Sequence, residues 1–281
     1  MIMHSLKTGL QALSFERIIT AFFGRLAQCR TVWLKNWMIR TFIRRYQVDL
    51  RIAQCEKATD YPTFNDFFIR KLKTAARPIA GHSDDVACPV DGTISQIGFI
   101  QDNRLFQAKG FDFSLLALLG NAVQVAQLFH QGLFATFYLA PKDYHRIHMP
   151  IDGRLQKTIF IPGRLFSVNK QNTQQIPQLF ARNERAVCLF DTPIGPMAMI
   201  LVGAVIVGSI NTVWQPDAYR HPNVTEQAFS NEVFLKKGDE LGYFKLGSTV
   251  ITLFPAHAIR WLEHLAADSS VVMGQRIGRF I

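Results

Sequence analysis

Short apolar runs separated by turn residues recur from residue 86 onward, and this pattern restricts the possible folds more than any other feature. Gly, Pro and Asp interrupt the runs, which span residues 86–90, 93–100, 134–140, 155–161, 186–190, 197–207, 209–214 and 248–254. Strands spaced in this way are typical of an antiparallel sheet and not of a doubly wound α/β sheet. We therefore predict an α+β protein with a mostly antiparallel β core.

The N-terminal part of the chain shows helical periodicity instead. Within residues 10–50 the apolar side chains follow the helical repeat. They are Phe15, Ile18, Ile19, Phe22, Phe23, Leu26, Trp33, Leu34, Trp37, Met38 and Phe42. Residues 1–45 also hold eight basic residues and one acidic residue, and so supply most of the net charge of +10. A basic, aromatic helix fits a membrane interface and equally a helical hairpin over a core, so the pattern leaves both open.

Three other segments have simpler signatures. Residues 62–78 predict a further helix, with Thr63 or Asn65 as its N-cap. Residues 113–131 also predict a helix. The polar, amide-rich region 164–184 predicts a loop.

Several absences narrow the class of protein. The longest apolar block, Met197 to Ile206, is too short to span a bilayer, so we predict a buried strand there. The first residues lack the apolar stretch and cleavage site of a signal peptide. The four cysteines show no zinc-binding spacing, which favours a reduced, cytosolic setting. The positive charge follows an amphipathic helix and not an aromatic sheet, which disfavours nucleic acid as a partner.

Two segments in the β region carry residues that catalysis could use. Asp91-Gly92 by itself fits a turn. His145 and His148 lie three residues apart among charged neighbours, a pattern as consistent with chemistry as with structure. Neither segment is specific when it is taken alone.

A third segment, Leu246-Gly247-Ser248-Thr249, places a glycine carbonyl beside a serine hydroxyl. Such a pair usually marks a turn, but it is also what a chain needs to cut its own backbone, because the attacked carbonyl must be unhindered. Serine needs a base to remove its proton, usually a histidine oriented by a carboxylate. Asp91, His148 and Ser248 supply these three groups, and geometry decides whether they meet.

Taken together, these segments resemble the phosphatidylserine decarboxylase family. The matching motifs are Leu246-Gly247-Ser248-Thr249, Val90-Asp91-Gly92 and Tyr144-His145-Arg146-Ile147-His148-Met149-Pro150. Further matches are Phe64-Asn65-Asp66-Phe67-Phe68 with Arg70, Leu72 and Arg77-Pro78, then Asn183-Glu184-Arg185 and Val202-Gly203-Ala204. The order and spacing match over residues 60–255, and the two ends are looser. Several motifs in order are a specific signal.

The resemblance implies a proenzyme that cuts itself between Gly247 and Ser248. In that scheme Asp91 orients His148, and His148 takes the proton of Ser248. The serine oxygen attacks the Gly247 carbonyl, and β-elimination and hydrolysis leave a covalent pyruvoyl group derived from the serine. This pyruvoyl group is the implied cofactor, and no metal is implied.

The resemblance also implies the reaction, which is decarboxylation of phosphatidylserine to phosphatidylethanolamine through a Schiff base with the pyruvoyl group. His145 is the candidate that handles the substrate and returns a proton to carbon as a general acid. The two fragments, 1–247 and 248–281, are expected to stay associated because residues 248–254 predict a core strand.

The architecture implied by the resemblance is a barrel-sandwich-like β core in a homodimer. The expected domains are an amphipathic membrane-associating region, 1–60, and a catalytic domain, 61–281. A basic N-terminal region suits an anionic lipid substrate, so we expect peripheral attachment to the cytoplasmic face of the cell membrane.

Two alternatives remain open at this level. His145, His148 and Asp91 could bind zinc in a hydrolase, although this leaves the Gly247-Ser248 pair unexplained. The chain could also be a lipid-binding module without enzymatic activity, and it would then stay uncut.

Overall fold

The computed structural model describes residues 22–108, 110–204, 210–216, 221–230, 232–245 and 248–281. Parts of four sequence predictions lie outside these residues: the apolar stripe before Phe22, the end of the predicted strand 197–207, the first residue of the predicted strand 209–214, and the Leu246-Gly247 half of the cleavage motif. In the described part of the chain, no helix is both long and apolar enough to cross a bilayer.

The N-terminal region is helical, but its helix is interrupted. Residues 22–27 are helical, residues 28–31 are not, and helix α1 spans Val32–Tyr46. Helix α1 ends where Gln47 takes a left-handed conformation. The helical structure predicted over residues 10–50 is therefore confirmed for residues 22–27 and 32–46, whereas residues 28–31 and 47–50 are not helical.

The predicted helix over residues 62–78 is much shorter than expected. Helix α2 spans only Phe64–Phe68, with the Thr63 hydroxyl accepting a hydrogen bond from the Asp66 amide as predicted for an N-cap. Beyond it, the backbone of residues 71–73 hydrogen-bonds to residues 52–54. This pairing takes the amides and carbonyls that a longer helix would need.

Helices α1 and α2 share an apolar cluster that is separate from the main core. Phe42 of α1 contacts the rings of Phe64, Phe67 and Phe68 of α2, with centroids 5.2, 5.8 and 5.9 Å apart. Aromatic contacts at these distances each stabilise a cluster by roughly 1 kcal/mol beyond burial. The domain boundary at residue 60 stays a prediction.

Most of the remaining chain is β structure. The strands are β1 Asp85–Ala87, β2 Gly92–Phe99, β3 Arg104–Ala108, β4 Phe111–Ser114, β5 Leu133–Leu139, β6 Arg146–His148, β7 Gly153–Ile161, β8 Arg185–Thr192, β9 Gly195–Val202, β10 Ile210–Thr212, β11 Thr225–Ala228, β12 Phe234–Leu235, β13 Glu240–Phe244, β14 Ser248–Phe254, β15 Ile259–Trp261, β16 Ser270–Val271 and β17 Arg276–Phe280. The largest sheet has the order β11-β7-β8-β9-β14-β5-β2-β16, with β12 also paired to β7. Its neighbouring strands are all antiparallel, which confirms the predicted fold class.

Smaller sheets lie beside the large one. They have the orders β1-β17-β15, β10-β13-β6 and β3-β4. Strand β13 in the second of these sheets leads directly toward β14 in the large sheet. The polypeptide thus crosses from one sheet to the other at the cleavage motif.

Two connecting regions differ from their predictions. Residues 113–131 form the end of β4 and two short helices, α3 Leu115–Leu118 and α4 Val123–Leu128, which are separated by Gly120 and Asn121 in left-handed conformations. The predicted loop 164–184 contains α5 Lys170–Thr173 and α6 Leu179–Arg182. Helices this short carry too few residues for a clear periodic signal.

Candidate active site

Strand β5 brings the separated sequence motifs to one edge of the large sheet. Tyr138 on β5 pairs with Thr93 of β2 on one side and with Thr249 of β14 on the other. Leu139 pairs with Ser248, the first residue of β14. Strands β2 and β14 are therefore about 10 Å apart across β5, and both begin where β5 ends.

A close backbone contact places Asp91 at this edge. It precedes Gly92, where an added Cβ would lie 2.3 Å from the Tyr138 carbonyl oxygen, so only glycine allows β2 to approach β5 here. The Asp91 carboxylate is buried and accepts hydrogen bonds from Arg77 Nε and from the Met273 amide, both at 2.8 Å. Arg77 is thus its ionic partner, and Asp91 in turn raises the pKa of Arg77.

His148 lies on β6 beside the segment that leads to Asp91, because its amide donates to the Pro89 carbonyl at 2.9 Å. Its Nδ1 is 2.8 Å from the Gly238 carbonyl oxygen, and its Nε2 is 3.0 Å from the Tyr144 hydroxyl. A carbonyl only accepts, so Nδ1 carries the proton and Nε2 presents a lone pair in the neutral ring.

The electrostatic surroundings of His148 favour that neutral form. Burial lowers the pKa of His148, and Arg146 acts in the same direction. The Gly238 carbonyl, Glu240 and Asp91 oppose this lowering. The carboxylate of Asp91 therefore influences His148 electrostatically, while its direct hydrogen bonds go to other groups.

His145 lies in the turn between β5 and β6 and is completely buried. Its ring stacks on Phe68, and among the described residues neither ring nitrogen makes a hydrogen bond of standard geometry. Burial lowers the pKa of His145 to about 3, with Arg70 acting in the same direction and the backbone carbonyls of Pro141 and Ala140 opposing it. Its own carbonyl accepts from the Phe244 amide at 3.1 Å.

Ser248 is also completely buried, and its hydroxyl has no hydrogen-bond partner within the described ranges. Phe244, bonded to the His145 backbone, precedes Ser248 by four residues in sequence. The structure does not join Asp91, His148 and Ser248 by direct hydrogen bonds among the residues it describes. It places Asp91 and Ser248 at the same end of the large sheet, and it places His148 on β6, where the His148 amide bonds to the segment before Asp91.

A cavity of about 370 Å³ lies against β2, β5 and the end of β3, and Asp91, His145, His148 and Ser248 are not among the residues that line it. Its walls come from β2, β5, the 168–174 segment and the turn before β16. They include Thr93, Tyr138, Val168, Lys170, Thr173 and Asp268. Lys170 and Asp268 form an exposed ion pair at 2.7 Å on this cavity. The predicted loop 164–184 thus contributes a wall of the cavity.

Sequence analysis gave no role to Arg77, Tyr144, Phe68 or Arg70, although all four fall within the quoted motifs. Tyr144 could have been noticed from its position four residues before His148 in a segment rich in polar groups. The contacts of Phe68 with His145 and of Arg70 with Lys142 join residues more than seventy positions apart in sequence. No local pattern predicts such contacts.

The zinc alternative has little geometric support. No group of three His, Cys, Asp or Glu side chains that could hold a metal ion occurs in the part of the chain that the structure describes. Both ring nitrogens of His148 already face protein groups.

Comparison with known proteins agrees with the motifs. A family model described as Phosphatidylserine decarboxylase matches residues 64–279, and one described as PSD matches residues 6–47. The Phosphatidylserine decarboxylase proenzyme of Hahella chejuensis is 50% identical over 273 residues, which cover 96% of this chain and 92% of that protein. The protein of the same name from Stutzerimonas stutzeri is 50% identical over 269 residues, or 94% of this chain and 91% of that protein.

The chain belongs to the phosphatidylserine decarboxylase family. The match to the main family model spans α2 to β17 and includes all four candidate site residues, Asp91, His145, His148 and Ser248. The predicted family is therefore confirmed, while the roles of the individual residues stay predictions.

Proposed function

We propose that this chain is a self-cleaving proenzyme that decarboxylates phosphatidylserine to phosphatidylethanolamine. The observation that carries the proposal is the Ser248 hydroxyl, which is buried at the start of an interior strand and has no hydrogen-bond partner among the described residues. An orphaned buried hydroxyl costs stability, so it is retained where it has another use. The names of the relatives, which describe proenzymes of a decarboxylase, point in the same direction.

Self-cleavage would consume the peptide bond between Gly247 and Ser248. The Ser248 oxygen, losing its proton to a base, attacks the Gly247 carbonyl carbon, and the C–N bond breaks to give an ester and a free amine. Loss of the serine α-proton then expels the Gly247 carboxylate and leaves dehydroalanine. Tautomerisation and attack by water release ammonia and leave a keto group at residue 248.

His148 is the proposed base for the first step. Its Nε2 lone pair faces the Tyr144 hydroxyl, which can pass a proton to it or move aside when Ser248 approaches. Asp91 lies within electrostatic range and stabilises a positive charge on His148, since it raises the pKa of that ring. Arg77 holds the Asp91 carboxylate in place.

Ser248 itself fits the implied pyruvoyl cofactor, because it heads the interior strand β14 and its hydroxyl makes no competing hydrogen bond among the described residues. A keto group there supplies an electrophile for the substrate amine and an electron sink when CO₂ leaves. His145 is neutral because burial lowers its pKa. A neutral ring offers a nitrogen lone pair for the proton that the substrate ammonium must lose, and because burial disfavours the charged ring, that proton is readily passed on to carbon.

The proposal includes the cellular setting. Trp33 and Trp37 of α1 are 72% and 61% exposed, and Arg40, Arg44 and Arg45 of the same helix are also exposed. Exposed aromatic and basic residues on one helix suit an anionic bilayer surface. We infer peripheral attachment to the cytoplasmic face of the cell membrane, with the fragments associated in a homodimer.

An intact mass spectrum of purified protein tests self-cleavage. Wild-type protein should give fragments 1–247 and 248–281, with the mass of the short one consistent with a keto group in place of its terminal amine. Ser248→Ala should give one uncut chain. Ser209→Ala provides the matched control, since Gly208-Ser209 is the only other Gly-Ser pair in the sequence, and it should still be cut.

His148→Ala and Asp91→Asn should block the cut, whereas His145→Ala should be cut yet fail to decarboxylate phosphatidylserine. A wild-type chain that stays whole, as expected of a lipid-binding module, would refute the proposal. A cut that yields an ordinary serine terminus would refute the pyruvoyl cofactor.

A further inference from the structure

The turn between β5 and β6 is held by the residues that follow α2. Arg70 Nη2 donates to the carbonyls of Lys142 and Asp143 at 2.8 and 3.2 Å. The Ile69 carbonyl accepts from Arg146 Nε at 2.8 Å. These bonds fix the backbone on both sides of the histidine in the turn, but they leave its side chain to be oriented by something else.

That side chain has one aromatic neighbour in the described structure. The rings of Phe68 and His145 have centroids 4.1 Å apart and planes inclined by 23°. Within the described ranges no hydrogen bond of standard geometry engages either nitrogen of His145, although the backbone carbonyls of Pro141 and Ala140 act on the ring. Face-to-face packing against Phe68 therefore restrains the plane of the ring, and with it the plane in which the nitrogens lie.

Phe68 is well placed to act as a rigid support. It is 1% exposed, and its ring lies 5.9 Å from Phe42 of α1. A ring locked on several sides cannot turn without disturbing its cluster. The fixed plane of the Phe68 ring then restrains the His145 ring that stacks on it.

We propose that Phe68 is a positioning residue that fixes the ring plane of His145 for proton transfer. This inference rests on the proposed decarboxylation, in which His145 moves a proton to and from the substrate. A small rotation of the ring would displace the nitrogen from the reacting atoms, and such misplacement is costly to the rate. Phe68 acts through His145 and does not itself touch the substrate.

The first test compares Phe68→Leu with Phe64→Leu in steady-state decarboxylation of phosphatidylserine in detergent micelles. Both variants remove one ring from the same cluster, but only Phe68 stacks on His145. Phe68→Leu should lower kcat about tenfold with little change in KM, while Phe64→Leu stays within about twofold of wild type. Phe68→Tyr, which keeps the ring, should recover most of kcat. All three should still cleave themselves.

The second test needs no activity. In Ser248→Ala protein with ¹³C-labelled histidine, NMR should show a His145 ring signal displaced by the Phe68 ring current. Phe68→Leu should remove this displacement, and Phe64→Leu should retain it. Equal kcat for the two leucine variants, a change in KM alone, or an unmoved His145 signal would overturn the inference. A wild-type protein that does not decarboxylate phosphatidylserine would refute the proposed function. The NMR comparison would still show whether Phe68 stacks on His145.

Discussion

Residues His145 and His148 are three positions apart in sequence, yet their surroundings are opposite. Both nitrogens of His148 face hydrogen-bonding groups, whereas His145 meets an aromatic ring and carries an unsatisfied pair of nitrogens among the described residues. Burial lowers the pKa of both rings. The fold thus keeps two neutral imidazoles at one edge of the sheet, one held by polar contacts and one held by packing.

The neutral state of His145 predicts acid sensitivity. Its pKa is about 3 in the folded protein and near the ordinary 6.5 when unfolded, so the unfolded chain binds more protons between these values. The contribution of His145 to the free energy of unfolding is fully present above pH 6.5 and is lost as the pH drops toward 3. The free energy of unfolding should decrease by on the order of 2 kcal/mol between pH 7 and pH 5 from this group.

Urea unfolding of Ser248→Ala protein at the two pH values measures this loss on an uncut chain. Adding His145→Gln should reduce the difference between pH 7 and pH 5. His264→Gln, at an exposed histidine, is the control and should leave the difference as it is. An unchanged difference with His145→Gln would contradict the neutral, buried state of this ring.

At the scale of elements, the sequence predicted what local pattern determines. Strand β14 was predicted with the bounds that the structure gives, because all seven of its residues are buried and most of them are apolar or β-branched. The helix over residues 62–78 was overestimated, because pairing with residues 52–54 depends on a distant part of the chain. The candidate site residues were chosen from motifs and stay predictions, while the residues that contact them, such as Arg77 and Phe68, depend on tertiary contacts.

Helix α1 predicts how the protein meets lipid. Replacing Trp33 and Trp37 together with serine should weaken binding to vesicles of anionic phosphatidylglycerol by roughly tenfold or more, because each indole removes apolar area from water on insertion. Sedimentation of Ser248→Ala protein with the vesicles measures this. Phe99→Ser alters a comparably exposed aromatic residue outside α1, at 66% exposure, and should bind as before. An equal loss of vesicle binding in the tryptophan double variant and in Phe99→Ser would contradict the role assigned to α1.

For the whole molecule, the decisive feature is the interior position of β14. It pairs along its full length with β5 and over five residues with β9. Every one of its side chains is buried. The proposed short fragment therefore supplies an interior strand of the largest sheet and is not an appendage.

This position predicts that the cut pieces separate only when the whole protein unfolds. With an affinity tag on the long fragment, the short one should be retained through washes in urea below the unfolding midpoint and be released at it. Ile251→Ala should lower that midpoint, since truncating a fully buried isoleucine costs about 2–5 kcal/mol. Release well below the midpoint would contradict a shared core.

The same position bears on the lifetime of the processed enzyme. The intact chain folds with β14 tethered beside its partners, but a processed molecule that unfolds must recapture its central strand from solution. Reassembly then depends on concentration and competes with aggregation of the exposed sheet. Unfolding of the cleaved protein would therefore be effectively irreversible. The lifetime of the cleaved enzyme would then depend on its rate of unfolding and not on refolding.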